Sequence, residues 1–207
     1  MREVFIRHKI VPVLVFLEAT HATSVAEALT AGGLPLLEIT LRTDAALNAL
    51  EAVSNSNTNA IVGVGTVLET KQLQSARNAG ARFAVSPGFD PAIAAEADKC
   101  GIFYLPGVAT ASEVMLARRA GYRFLKFFPA AAAGGIPLIR SFASPFHDIT
   151  FCPTGGIGPD NLSDYLKLPN VGCVGGSWLA TLNDMKAGEW KKIERKARDA
   201  VALALSD

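Results

Sequence analysis

Eight short apolar segments, at 10–16, 36–40, 60–64, 83–85, 103–105, 124–127, 149–152 and 171–174, recur at regular spacing along the 207-residue chain. Amphipathic stretches lie between them, for example at 24–31, 45–53, 71–79, 91–99, 112–120 and 161–166, and one at 190–205 follows the eighth. Parallel strands cannot be joined by a tight turn, so apolar runs alternating with helical periodicity mean a parallel sheet with right-handed helical crossovers. The count then selects the architecture. An open doubly wound sheet usually has fewer strands and two edges, so eight strand–helix units predict an α/β fold, a single (β/α)8 TIM barrel domain over residues 1–207. Half of the chain is apolar, which supplies one sizeable core at this length. Gly32, Gly80, Gly101 and Gly121 stand at the ends of helical stretches, where a left-handed cap is cheap for glycine alone.

Charge removes several classes of function. Twenty Lys and Arg face nineteen Asp and Glu with no long run of either sign, so neither nucleic acid nor a membrane surface has electrostatic support as a partner. The longest early apolar run, 10–17, is too short to span a bilayer and no cleavage pattern follows it, so a soluble cytoplasmic protein is expected. Cys100, Cys152 and Cys173 are odd in number and widely spaced, as free core thiols in a reducing compartment would be. With His8, His21 and His147 equally scattered, neither a metal site nor a bound cofactor is expected.

In such barrels chemistry gathers at the C-terminal ends of the strands. Those ends are polar or glycine-rich here: Glu38 to Arg42, Gly63 to Thr66, Ser86-Pro87-Gly88, Pro106-Gly107, Lys126, Pro153 to Gly156 and Gly175-Gly176-Ser177. Lys126 stands inside the apolar run Leu125-Lys126-Phe127-Phe128-Pro129. Water-poor surroundings disfavour the charged form of an amine and make it a nucleophile for a ketone carbonyl; a lysine that packs its stem and snorkels its head into water is the other reading. Strand alternation puts Glu38, Thr40 and Arg42 on one face, with Glu38 half buried. Such a carboxyl is either a proton shuttle or the partner of Arg42 in a structural ion pair. Arg42 offers a planar fork of donors to a carboxylate, and Thr66, after two glycines, offers a hydroxyl and an amide. Gly155-Gly156 and Gly175-Gly176-Ser177 follow strands seven and eight, the second opening into a short helix at Trp178. That is where barrels often bind phosphate on bare backbone N–H groups and a helix N-terminus.

Seven ordered motifs, Leu37-Glu38-Ile39-Thr40-Leu41-Arg42-Thr43, Val62 to Leu68, Ser86-Pro87-Gly88, Leu105 to Val108, Phe124 to Ala130, Phe151 to Ile157 and Gly175 to Leu179, are similar to those of a known family. Over roughly residues 10–190 the chain resembles the class I aldolases acting on 2-keto-3-deoxy-6-phosphogluconate (KDPG) and 2-keto-4-hydroxyglutarate (KHG). The resemblance implies a Schiff base between Lys126 and the substrate C2 carbonyl, proton transfer by Glu38, and a pyruvyl carboxylate held by Arg42 and Thr66. It implies further that Gly155, Gly156 and Ser177 hold a distal phosphate, that Thr154 lies near the substrate hydroxyls, and that the barrels assemble as homotrimers. The partner is then a phosphorylated 2-keto acid. After Phe-Pro-Ala the family often carries a glutamate or another polar residue, whereas this chain runs Ala131-Ala132-Ala133 and lacks that contact. The same lysine could serve KHG or a C4-epimeric phosphosugar acid. A phosphate-binding barrel isomerase or synthase, or a non-catalytic phosphosugar binder, would share the glycine loops without needing the lysine.

Overall fold

A computed structural model describes residues 1–206. Nine parallel strand segments form two sheets: β1 (Ile10–Leu14), β2 (Leu36–Thr40), β3 (Ile61–Gly65), β4 (Phe83–Val85), β5 (Phe103–Leu105), β6 (Gly107–Val108), β7 (Phe124–Phe127), β8 (Thr150–Pro153) and β9 (Val174–Gly176). The larger sheet is a curled one of six strands in the order β5-β4-β3-β2-β1-β9; β6-β7-β8 form the smaller. Pro106 separates β5 from β6, because a residue without an N–H cannot donate to a ladder. Its carbonyl still accepts from the Lys126 amide at 2.8 Å. Between β8 and the approach to β9 there are two isolated parallel bridges, Phe151 with Val171 and Thr154 with Gly175.

Ten α-helices accompany the strands among the described residues: α1 (Arg2–His8), α2 (Ala22–Ala31), α3 (Ala46–Ser54), α4 (Thr70–Asn78), α5 (Pro91–Cys100), α6 (Ala111–Arg119), α7 (Gly135–Phe142), α8 (Leu162–Leu166), α9 (Leu182–Lys186) and α10 (Trp190–Leu205). Strand alternation divides the interior into two cores. Leu14, Leu37, Ile39, Val64, Leu125 and Phe127 face the helices. Val11, Leu36, Phe83, Leu105, Phe124, Cys152 and Cys173 point to the concave side and pack with Phe5 of α1. The Phe5 ring lies 5.0 Å from Phe83, 5.8 Å from Phe103 and 5.6 Å from Phe124, between ring centroids, and so plugs the floor of that inner core.

Several expectations move. The eighth strand, expected at 171–174, is β9 at Val174–Gly176, because pairing with β1 runs Ile10 to Val174, Val11 to Gly175 and Pro12 to Gly176. Gly32 is not a left-handed cap: its φ is −77°, and Gly33 takes the left-handed turn at φ 93°. Gly32 is bare for another reason, since a Cβ there would overlap Ala197 and approach the Glu194 carbonyl oxygen to 2.7 Å, so its bareness lets α2 and α10 touch. Gly80, Gly101 and Gly121 do have positive φ. Cys152 and Cys173 are buried, but Cys100, at the end of α5, is only half buried.

Candidate active site

Lys126 and Phe124 share the inner face of β7 while Leu125 and Phe127 face the helices, so the lysine side chain rises from the apolar floor that Phe124 and Cys152 build. It is 4 % exposed. Nζ donates to Glu38 Oε1 at 3.1 Å and lies 5.2 Å from the Phe128 ring centroid. Glu38, on β2 and 88 residues distant in sequence, is 3 % exposed. It is therefore more deeply buried than the half-buried position expected. The cause is a glycine: Gly65 on β3 has no side chain where a Cβ would overlap Oε1 and stand 2.7 Å from Cδ and Cγ of Glu38. The carboxylate occupies that space.

Just past the ends of β2 and β3, Arg42 Nε donates to Thr66 Oγ1 at 3.1 Å. The terminal guanidinium nitrogens have no further partner among the described residues. Thr66 has φ 59°, in the left-handed region that a β-branched residue avoids at a cost of about 1–3 kcal/mol. Flanking backbone bonds, Leu41 N–H to Gly65 and Val67 N–H to Val85, hold it there. Arg42 and Thr66 thus lie just beyond the C-terminal ends of β2 and β3, and Lys126 is the next-to-last residue of β7, as the strand pattern predicts, while Glu38 stands mid-strand on β2.

Thr154 is buried just after β8 and bridges to Gly175, whose missing Cβ leaves room for the Thr154 side chain. The chain after β7 zips onto the chain after β8: the Ala130 amide donates to the Thr154 carbonyl at 2.8 Å and the Ala131 amide to that of Gly155 at 3.0 Å. Gly155 and Gly156 follow with φ 100° and 76°. A Cβ on Gly156 would come 2.5 Å from that of Ala131, so the small Ala131 and the bare glycine are matched in space. Ser177, after β9, is exposed and borders a cleft of about 350 Å³ with Val13, Val15, Ala180 and Thr181. No helix opens at Trp178: residues 177–180 are bends, and α9 starts at Leu182 because Thr181 and Asp184 form a capping box there. The glycine loops therefore present bare backbone without a helix N-terminus immediately behind Ser177.

Two features escape a reading of strand ends. Ser86 hydrogen-bonds Tyr104, whose phenol burial pushes up to about 12 although the Ser86 bond pulls the other way. This bond fixes the Ser86-Pro87-Gly88 loop beside Gly107, where a Cβ would overlap Pro87. The other is a charged cluster at Asp184, which the Thr181-x-x-Asp184 capping pattern signals in sequence. Beneath Lys126, burial pushes the Cys173 thiol well above its ordinary value, with neighbouring Cys152 adding to the effect. That thiol stays neutral. Among the described residues no three His, Cys, Asp or Glu side chains gather as a metal-binding group, and no helix is long and apolar enough to cross a membrane.

An amine within hydrogen-bond reach of a carboxylate on an apolar floor can attack a carbonyl and pass protons, and a guanidinium just past the end of β2 can hold an acid group. The family model described as KDPG and KHG aldolase matches residues 1–196. A 2-dehydro-3-deoxy-phosphogluconate aldolase of Pseudoalteromonas atlantica is 47% identical over 98% of this chain and 94% of its own length. A KHG/KDPG aldolase of Escherichia coli is 45% identical over 93% of this chain and 90% of its own. Among solved structures, KDPG aldolase from Legionella pneumophila, with pyruvate captured at low pH as a covalent carbinolamine, superposes with a TM-score of 0.93. It is 43% identical, over 96% of this chain and 97% of that one.

Proposed function

The chain belongs to the KDPG and KHG aldolase family, and from that premise we propose that Lys126 is its Schiff-base lysine and Glu38 its proton carrier. The enzyme is a carbon–carbon lyase, a class I aldolase that cleaves 2-dehydro-3-deoxy-6-phosphogluconate to pyruvate and glyceraldehyde 3-phosphate. One observation carries the assignment of roles: the buried 3.1 Å contact between Lys126 Nζ and Glu38 Oε1. Nζ adds to the C2 ketone, a proton moves to the departing oxygen, and loss of water leaves an iminium. Glu38 takes the C4 hydroxyl proton as the C3–C4 bond breaks, and the bonding pair flows into the iminium to give an enamine. Glyceraldehyde 3-phosphate leaves. Glu38 then returns its proton to C3, and water releases pyruvate from Lys126. Positioned proton transfer of this kind is worth about 10²- to 10⁴-fold in rate.

Arg42 and Thr66 hold the carboxylate in this reading, Arg42 through the terminal guanidinium nitrogens that no group among the described residues takes up. Thr154 meets the substrate hydroxyls, and Gly155, Gly156 and Ser177 receive the phosphate on bare amides and a hydroxyl. The bridges of Thr154 to Gly175 and Phe151 to Val171 support closure of the two sheets into one (β/α)8 barrel. We extend the reading to a cytoplasmic homotrimer that covers exposed apolar side chains such as Leu17 and Leu68. KHG, named with KDPG for the Escherichia coli relative, has the same keto acid head and fits the same lysine.

The test separates the two roles. Glu38→Gln should still trap pyruvate on borohydride treatment, more slowly, yet lose most exchange of the pyruvate methyl protons with deuterated water. Unimpaired exchange in that variant would take the proton role away from Glu38.

A further inference from the structure

Behind the Ser177 loop lies a charged cluster to which the aldol chemistry assigns nothing. Asp184 on α9 is 3 % exposed and takes Lys192 Nζ on Oδ1 at 2.8 Å, and Lys196 Nζ and Thr181 Oγ1 on Oδ2 at 2.6 and 2.7 Å. Lys196 also donates to the main-chain carbonyl of Trp178 at 3.2 Å. The Trp178 ring in turn covers Gly176, where a Cβ would overlap it. Both lysines belong to α10, so this helix grips the loop one residue beyond Ser177. Burial works to raise the Asp184 carboxyl, but the bonds from Lys192, Lys196 and Thr181 together outweigh it and hold the group well below its ordinary 3.8. Two ammonium groups around one carboxylate leave a formal surplus of one positive charge; Glu189 and Arg195, which also face Lys192, cancel each other.

We propose that Lys196, anchored by Asp184, is a positioning residue for the phosphate end of the substrate, fixing the backbone at Trp178 and with it the Ser177 hydroxyl and amide. This rests on the assignment of the phosphate to Ser177 made above. A lysine that only braces α10 against α9 would affect all substrates alike. One that sets Ser177 affects only what Ser177 binds.

The experiment compares kcat and KM for phosphorylated KDPG and unphosphorylated KHG in Lys196→Met, Lys196→Arg, Ser177→Ala and the Lys196→Met/Ser177→Ala double variant. Borohydride trapping of pyruvate is run on each. Lys196→Met should raise KM for KDPG about tenfold with little change in kcat, and leave KHG cleavage and pyruvate trapping within about twofold. Lys196→Arg should recover most of the loss. Because Lys196 acts through Ser177, the double variant should fall short of the product of the single effects. Equal losses on both substrates, no loss, or full additivity would overturn the proposal. If Lys196→Met does not fold, Lys196→Gln, which keeps an N–H donor, is read by the same ratio of substrates. Failure of the underlying reading looks different: no pyruvate adduct in the unsubstituted protein removes the Lys126 role, and a Ser177→Ala loss shared by both substrates removes the phosphate assignment.

Discussion

Gly65→Ala adds one methyl group where the Glu38 carboxylate now sits. Gly65 is not among the positive-φ glycines, so its backbone accepts alanine, and without a clash the change would stabilise the protein by about 0.4–1 kcal/mol. The clash is specific. The new Cβ would overlap Oε1 and stand 2.7 Å from Cδ and Cγ, against about 3.4 Å for ordinary contact, so the carboxylate must retreat by at least roughly 0.7 Å. A displacement of that size disturbs the 3.1 Å bond that Glu38 Oε1 accepts from Lys126. A misplacement on the order of 1 Å costs about a hundredfold in rate. We expect Gly65→Ala to lower kcat for KDPG cleavage by about that factor, followed by pyruvate release coupled to lactate dehydrogenase, while thermal unfolding stays cooperative and borohydride still fixes pyruvate to the protein. A Gly65→Ala enzyme cleaving KDPG within threefold of the unsubstituted rate would refute the argument that Glu38 must hold this position.

Two further outcomes follow from the strained threonine and the charged cluster. Thr66→Gly relieves a left-handed backbone worth about 1–3 kcal/mol and returns part of it as unfolded-chain entropy, so stability should hold or rise slightly. Arg42 loses its acceptor, and the pyruvate concentration giving half-maximal borohydride inactivation should rise by about fivefold; an unchanged concentration with lower stability would contradict this. Asp184 has a folded-state value below its ordinary 3.8, so its contribution is complete above that pH and is lost as pH falls through the folded value. Urea unfolding should put Asp184→Asn about 1–3 kcal/mol below the unsubstituted protein at neutral pH, and the gap should shrink below pH 3.8; a constant gap would contradict the ion-pair account.

Much of this architecture was legible because two periodicities carry it. Strand alternation alone puts Lys126, Glu38 and Gly65 on the inner face, and the helix faces follow from apolar spacing. What stayed hidden depends on partners distant in sequence. The floor plug Phe5 lies on a seven-residue helix too short to show a period, and α7 opens Gly135-Ile136-Pro137, residues that read as loop. The apolar run at 171–174 looks like a strand, while the glycines that pair with β1 look like a turn; only the register with Val11 and Pro12 decides. Gly65 reads as a strand-end glycine that lets backbone approach closely, and nothing local says that the Glu38 side chain fills the space of its missing Cβ. Likewise, nothing local marks Thr66 as left-handed, and the expectation of a helix at Trp178 fails because Thr181 and Asp184 cap it later. The strand positions of these residues were readable; the reasons for their precise placement were not.

The role proposed for Lys126 is to form the covalent bond to substrate. Incubation with pyruvate and borohydride, followed by intact mass and peptide mapping, tests it most directly. One reduced pyruvate adduct per chain is expected, on Lys126, with parallel loss of KDPG cleavage and no effect of added chelator. An adduct on Lys99 or Lys167 instead, or cleavage that survives full modification of Lys126, would contradict it.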